Sequence, residues 1–182
     1  MQEIIGLSGW ARSGKDTIAD YLVEHHGFVK LSLATPMREA LYRLNPDIVD
    51  WGNMHWSLRQ AVDLFGWEDM KTSFPILRGL MQRMGTEVGR EMFGEDFWVN
   101  QVIKEASKYD KVVIADCRYL NEAEAVRSAG GQVWRVSKDS AAAANDHDSE
   151  HGLDDYAFDI NLDNNKTIED LHKLVEELRS GR

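Results

Sequence analysis

The chain has 182 residues and a mass of 20.8 kDa, enough for one domain with a sizeable core. Hydrophobic residues make up 43% and charged residues 29%, while a net charge of −10 and a pI near 5.0 argue against a general nucleic-acid binder with its basic face. Cys117 is the only cysteine, so a disulfide framework and a cysteine zinc site are excluded. No apolar run reaches the length of a membrane span, and Met1-Gln2-Glu3 shows no signal-peptide pattern, so a reducing cytoplasm is expected.

The first apolar segment, Glu3 to Leu7, reads as a strand and is followed at once by Gly9-Trp10-Ala11-Arg12-Ser13-Gly14-Lys15-Asp16-Thr17. A helix follows, starting at about Lys15 and running to Glu24. Strand, glycine-framed loop and helix in that order are the context a phosphate-binding loop requires. Gly9 and Gly14 let the backbone curl so that successive N–H groups face inward. The helix start adds its positive dipole end, and Lys15 reaches the β- and γ-phosphates of a nucleoside triphosphate. Asp16 stands where a hydroxyl residue usually meets magnesium, and Thr17 comes one place later. Asp16 can hold Mg²⁺ through a water or can cap the helix start; the sequence leaves both readings open.

A second strand is expected over Phe28 to Leu33, and further strands over Lys111 to Ala115, Gln132 to Val136 and Phe158 to Leu162. Continuous rather than alternating apolar runs suit strands of a parallel sheet buried on both faces. Helices separate them. Asn121 to Ala129 is stopped by Gly130-Gly131, and the last helix opens on the capping-box-like Thr167-Ile168-Glu169-Asp170. The alternation implies a three-layer α/β fold with a five-stranded parallel sheet.

The stretch from Ala34 to Asp110 is too long for one crossover. It reads as helices over Pro36 to Leu44, Ser57 to Phe65, Ile76 to Phe93 and Phe97 to Ser107. The expected layout is one domain, with a core of residues 1–33 and 111–182, a helical insertion over about 34–110 and a lid-like loop over about 138–152. Arginines gather in the insertion, with Arg38 at a helix start and Arg78, Arg83 and Arg90 along the third helical stretch. Arg78 and Gln82 are four apart and share a face able to hold a phosphate and a base or sugar edge. Gly85 breaks the helical periodicity there. Trp98 either stacks on a base or fills the helix core.

Val112-Val113-Ile114-Ala115-Asp116 is a buried strand ending in a carboxylate, where such an acid orients magnesium and its waters beside the γ-phosphate. Arg118, two residues on, can bridge phosphate oxygens with its planar fork, or else pair with Glu122 at the surface. The polar run around His147, Asp148, Ser149, Glu150 and His151 reads as a lid or nucleotide-edge loop, or as solvated residues.

These residues, in order, resemble the deoxynucleoside monophosphate kinases of tailed bacteriophages. The likeness is carried by Ser8-Gly9…Arg12-Ser13-Gly14-Lys15-Asp16-Thr17, Leu33-Ala34…Pro36, Arg78…Leu80-Met81-Gln82…Gly85-Thr86-Glu87 and Trp98-Val99. It continues through Asp116…Arg118, Asn121-Glu122…Ala125, Gly130-Gly131, Val133…Arg135-Val136 and His147…Ser149-Glu150. The Lys-x-Thr order is similar to that of nucleoside monophosphate kinases generally. The resemblance implies the P-loop nucleoside monophosphate kinase fold with a helical substrate-binding insertion, and transfer of the ATP γ-phosphoryl group to a deoxynucleoside monophosphate with Mg²⁺. It implies that Gly9, Ala11, Arg12, Ser13, Gly14, Lys15, Asp16, Thr17 and Lys138 bind ATP, and that Lys15, Asp116 and Arg118 are catalytic. Asp16, Thr17 and Asp116 attend the metal, and Arg38, Arg78, Gln82, Glu87, Trp98 and Arg118 bind the acceptor. It also implies a cytoplasmic enzyme, the host's cytoplasm if phage-encoded, acting on no nucleic-acid polymer and no membrane; homodimerisation is left open. Ser137-Lys138-Asp139 departs from an expected Arg-Pro-Gly-like turn, and the stretch from Leu41 to Ile76 is shorter than in some relatives. Another P-loop small-molecule kinase (acting on dephospho-coenzyme A, a sugar acid or phosphomevalonate) and an acceptor-free P-loop ATPase or switch stand as alternatives.

Overall fold

In a computed structural model, which describes residues 2–51, 54–141 and 152–181, the first apolar run forms β1 (Glu3–Ser8) at the centre of a parallel sheet. Successive side chains leave a strand on opposite faces, and β1 shows what that demands of a doubly covered sheet. Ile5 and Leu7 enter one core with Val113, Trp134 and Val136. Ile4 enters the other, with Val112, Ile114 and Val133. A sequence buried on both sides therefore reads as continuously apolar.

The remaining strands are β2 (Val29–Leu31), β5 (Lys111–Ile114), β6 (Gln132–Ser137) and β7 (Ile160–Asp163), in the order β2-β5-β1-β6-β7. Each of the four pairings is parallel, with Glu3 opposite Lys111 and Ser8 opposite Arg135 at the two ends of β1. One face is covered by α1 (Lys15–His26) and the last helix, α7 (Ile168–Ser180), through Ile18, Ala19, Leu22, Leu171 and Val175. The other is covered by α5 (Phe97–Ala106) and α6 (Leu120–Ser128) through Val99, Val102, Ala106, Ala123 and Val126. Gly6 lets α6 approach closely, since a Cβ there would lie 2.9 Å from Cys117 Sγ and 3.3 Å from Val126. The fold is thus a three-layer α/β sheet of the P-loop kind. The strands Phe28 to Leu33 and Phe158 to Leu162 are shorter or shifted relative to expectation, because the chain leaves β2 to bond Asp116 and enters β7 only after Asp159 has bonded Val133.

The chain divides into two compact units, residues Met1–Leu33 with Val99–Arg182, and residues Ala34–Trp98. The second boundary falls earlier than the expected 110, because Val99, Val102 and Ala106 belong to the sheet core. The second unit holds α2 (Thr35–Leu44), a hairpin of β3 (Asp47–Trp51) and β4 (Met54–Ser57), α3 (Leu58–Ser73), α4 (Pro75–Arg83) and a π-helix (Met84–Met92). Its core is Leu41, Ile48, Leu58, Ala61, Met70 and Leu77. The hairpin pairs Asp47 with Ser57 and Ile48 with Trp56 and was not foreseen, although Gly52-Asn53 between two short apolar stretches is a two-residue turn signal. Ser57 caps α3 in a full capping box with Gln60, and the helix is broken at Gly66, φ 75°, next to the expected end at Phe65. The expected single helix from Ile76 to Phe93 is instead α4 followed by the π-helix. The cause is visible at Gly89, where a Cβ would fall 1.8 Å from Trp98 Nε1; the indole sits on that backbone and donates to Gly85 O at 3.0 Å.

Candidate active site

The loop after β1 takes the conformation that its glycines permit. Gly9 and Gly14 have φ of 144° and 108°, and Arg12 is left-handed at 63°. A Cβ on Gly9 would lie 2.3 Å from Val136 O, and one on Gly14 2.4 Å from Asn164 Nδ2, so both positions are closed to side chains by conformation and by space. Ser13 N–H donates to Trp10 O, and Ser13 itself is buried. Lys15 opens α1 and curls back, its ammonium donating to Gly9 O and Trp10 O at 2.7 Å each. The charge is thereby held over the loop at the positive end of a 12-residue helix, an arrangement suited to anionic oxygens. Ala11 is half-buried, Arg12 is exposed and Thr17 lies half-buried in the first helical turn.

Asp16 is oriented by its neighbours. Lys30 at the adjacent edge strand reaches Asp16 Oδ1 at 2.8 Å and Asp20 Oδ1 at 2.9 Å, the two acids being one helical turn apart. Burial lowers the Lys30 ammonium's affinity for its proton, but the two carboxylates more than offset it and hold its pKa above the ordinary value. The Asp16 carboxylate, in the first turn of α1, pairs with this lysine and makes no side-chain cap hydrogen bond.

Asp116 stands at the carboxyl end of β5, next to β1. Its Oδ2 accepts from the Ser32 hydroxyl at 2.6 Å and its Oδ1 from Leu33 N–H at 2.8 Å, so the carboxylate is fixed by the chain leaving β2. Cys117 N–H bonds Leu7 O at 3.1 Å, which brings the two strand ends together. Burial, followed by the charges of Glu122 and Asp116, pushes the Cys117 thiol well above its usual pKa; it is a packing residue. Arg118 is exposed at this same edge. A surface pair with Glu122 was the alternative reading of Arg118; the acid is buried and accepts the backbone N–H groups of Arg118 at 2.7 Å and Tyr119 at 3.0 Å. It therefore shapes the turn that presents the arginine.

Beyond β6, Lys138 is half-buried in a turn closed by Ala141 N–H on Lys138 O. Asp139 N–H donates to Asn165 Oδ1 at 2.8 Å, and Asn164 Nδ2 donates to Ser13 O at 2.8 Å. Asn164 and Ser32 are the residues that sequence reasoning missed. For Asn164, a polar side chain just past the carboxyl end of a sheet strand, where such folds gather their ligands, was the available signal. Residues 142–151, which include most of the expected lid and His147, Ser149 and Glu150, lie outside the described residues.

In the second unit Arg78, Gln82 and Glu87 are exposed on α4 and the π-helix, and Arg38 is half-buried on α2 with its guanidinium 5.8 Å from the Trp67 ring centroid. Gly85 meets α2 at Met37, whose sulfur would be 3.2 Å from a Cβ there, so the helices bearing these groups pack together. Trp98 is half-buried against Gly85 and Gly89 and edge-on to Phe97, a structural seat in a π-helical segment of the sort often found at functional sites. No His, Cys, Asp or Glu cluster able to hold a metal occurs among the described residues, and no described helix is long and apolar enough to cross a membrane.

A family model described as Deoxynucleotide monophosphate kinase matches residues 3–67 and 54–175. A putative deoxynucleotide monophosphate kinase of Acanthamoeba polyphaga mimivirus is 29% identical over 182 residues, covering 94% of this chain and 93% of the relative. The deoxynucleotide monophosphate kinase of Escherichia phage RB69 is 24% identical over 241 residues, covering 97% of this chain and 99% of the relative. Among solved structures, shikimate kinase from Aquifex aeolicus is similar, with a TM-score of 0.49, 15% identity and coverage of 98% of this chain and 96% of that one.

Proposed function

The chain belongs to the deoxynucleotide monophosphate kinase family, and from that premise we propose that it transfers the γ-phosphoryl group of ATP to a deoxynucleoside monophosphate, giving ADP and the diphosphate. The observation that carries the reading is the pairing of β1 with β5, which sets the Gly9–Thr17 loop and Asp116 on neighbouring strand ends.

Phosphoryl transfer asks little covalent chemistry of a protein; it asks for positioning and for charge where charge develops. The loop amides and the α1 dipole hold the β- and γ-phosphates, and Lys15 neutralises the group in transit. Arg118 bridges donor and acceptor oxygens from the turn fixed by Glu122. Lys138 borders the nucleotide on the β6 side. Arg38, Arg78, Gln82 and Glu87 bind the acceptor nucleotide, and Trp98 supports them by holding the π-helix in place.

The donor set fits magnesium arriving on the nucleotide. The chain offers one fixed carboxylate, Asp116, and the Thr17 hydroxyl, and Mg²⁺ is commonly held by one or two carboxylates with substrate phosphates. Asp116 and Thr17 would hold the ion, which when bound would supply neutralisation of the phosphate charge. Asp16, in the first turn of α1 and engaged by Lys30, complements the positive end of the helix.

The test is ADP release from ATP and Mg²⁺ against each deoxy- and ribonucleoside monophosphate, with a control lacking acceptor. Release that requires a deoxynucleoside monophosphate is expected. Equal release without acceptor would refute the proposal and identify an ATPase.

A further inference from the structure

The carboxamide of Asn164 is buried, 8% exposed, between the end of β7 and the phosphate loop. Its Nδ2 donates to Ser13 O at 2.8 Å across 151 residues of sequence, and it lies close enough to Gly14 that a Cβ there would be 2.4 Å away. Its backbone N–H donates to Ser137 O at 2.8 Å, and the next residue, Asn165, accepts Asp139 N–H. A two-residue segment thus ties the phosphate loop to the turn after β6.

The consequence follows from peptide geometry. The peptide joining Ser13 and Gly14 is planar and trans, so its C=O and N–H point in opposite directions. A phosphate loop needs its N–H groups inward, which turns the carbonyls outward into protein, where each must find a donor. Asn164 is that donor for Ser13. We infer that Asn164 is a positioning residue of the nucleotide site, which locks the Ser13–Gly14 peptide so that Gly14 N–H faces the triphosphate. This rests on the nucleotide-binding reading of the loop and adds to it the residue that sets the loop's orientation.

Losing the donor leaves a buried carbonyl unsatisfied, a change of about 5- to 150-fold when the roughly 1–3 kcal/mol of such a group is drawn from binding. Calorimetric titration of the full chain with ATP, and separately with inorganic tripolyphosphate, is the test. Asn164→Ala should weaken both ligands by that factor, and Asn164→Asp, which places a carboxylate against Ser13 O, by at least as much. In turnover, KM for ATP should rise while KM for the acceptor stays unchanged; a merely structural residue would not split the two. A folded Asn164→Ala binding both ligands within about twofold of wild type would overturn the inference. If neither variant folds, the Gly14 amide resonance of the wild-type chain decides: it should shift on adding tripolyphosphate, and an unmoved resonance would overturn the inference. Wild-type binding without acceptor-dependent release would fault the proposed reaction and leave Asn164's role standing. Failure of the wild type to bind either ligand would overturn both.

Discussion

Asp116→Asn separates a catalytic carboxylate from a turn-forming one. The side chain accepts two hydrogen bonds, from Ser32 Oγ at 2.6 Å and Leu33 N–H at 2.8 Å. In the amide, Oδ1 still accepts from Leu33, while Ser32 must rotate and accept from Nδ2. Both bonds survive but lose their ionic partner, each falling from about 1.5–3 to about 0.5–1.5 kcal/mol. The fold should therefore lose about 2 kcal/mol, which for a domain of this size lowers the melting temperature by about 4–8 °C. Stability of about 5–15 kcal/mol leaves the variant almost wholly folded at 25 °C. The rate should fall much further, because removing a preorganised electrostatic group costs about 2.7–4 kcal/mol, or about 10²–10³ in kcat. Ser32→Ala is the control, since it deletes the hydrogen bond to Asp116 and keeps the charge. Thermal melts and the coupled ADP-release assay, run on both variants, should show similar melting shifts and kcat values at least tenfold apart. Equal kcat values would refute a catalytic part for Asp116 and leave it a residue that closes the turn after β5.

Lys15→Ala should nearly abolish transfer while the chain stays folded, with a modest drop in melting temperature from losing the bonds to Gly9 O and Trp10 O; full activity would sink its role. Arg78→Ala should raise KM for the monophosphate by about 10- to 150-fold, as for a lost charged hydrogen bond of about 1.5–3 kcal/mol, with KM for ATP constant; an unchanged monophosphate dependence would remove Arg78 from the acceptor pocket. The Tyr21 hydroxyl, 2.7 Å from Glu176 Oε1, and then His26 hold the Glu176 carboxyl below its ordinary value of 4.5. The fold therefore favours the ionised form, whose contribution is whole above pH 4.5 and is lost as the pH falls below it. Tyr21→Phe should shrink the fall in melting temperature between about pH 7 and about pH 3, and an undiminished fall would count against the pair.

What was legible in the sequence was local. The loop from Gly9 to Thr17 announces itself because its glycines, lysine and helix start all lie within nine residues. Asp116 could be read because a buried strand ends on it. The π-helix was hidden for the opposite reason: Gly85 signals a break, but the widening is imposed by Trp98, whose indole must fit against Gly89. The sequence left Asp16 open between a magnesium residue and a helix cap, and gave no sign of Lys30, 14 positions away, on its carboxylate. Glu122 entered the sequence reading only as an alternative surface partner for Arg118, and nothing in the sequence showed that it is buried and serves backbone amides.

The order β2-β5-β1-β6-β7 explains why the missed residues were missed. The central strand supplies the loop and Lys15 steadies it locally, but several of the groups that fix the loop and its surroundings come from strands distant in sequence and gathered in one sheet. β5 brings Asp116, β2 brings Ser32 to hold it, β6 brings Lys138, and β7 brings Asn164 against Ser13. A phosphate-binding motif therefore specifies the donors that meet the nucleotide and leaves their aim to residues that carry no motif. Those residues are expected to share one property, a buried polar group satisfied by loop or turn backbone, which Glu122 and Asn164 both have. Substituting them should change how well the site is aimed, and so change nucleotide affinity or rate, without removing any group that touches the nucleotide.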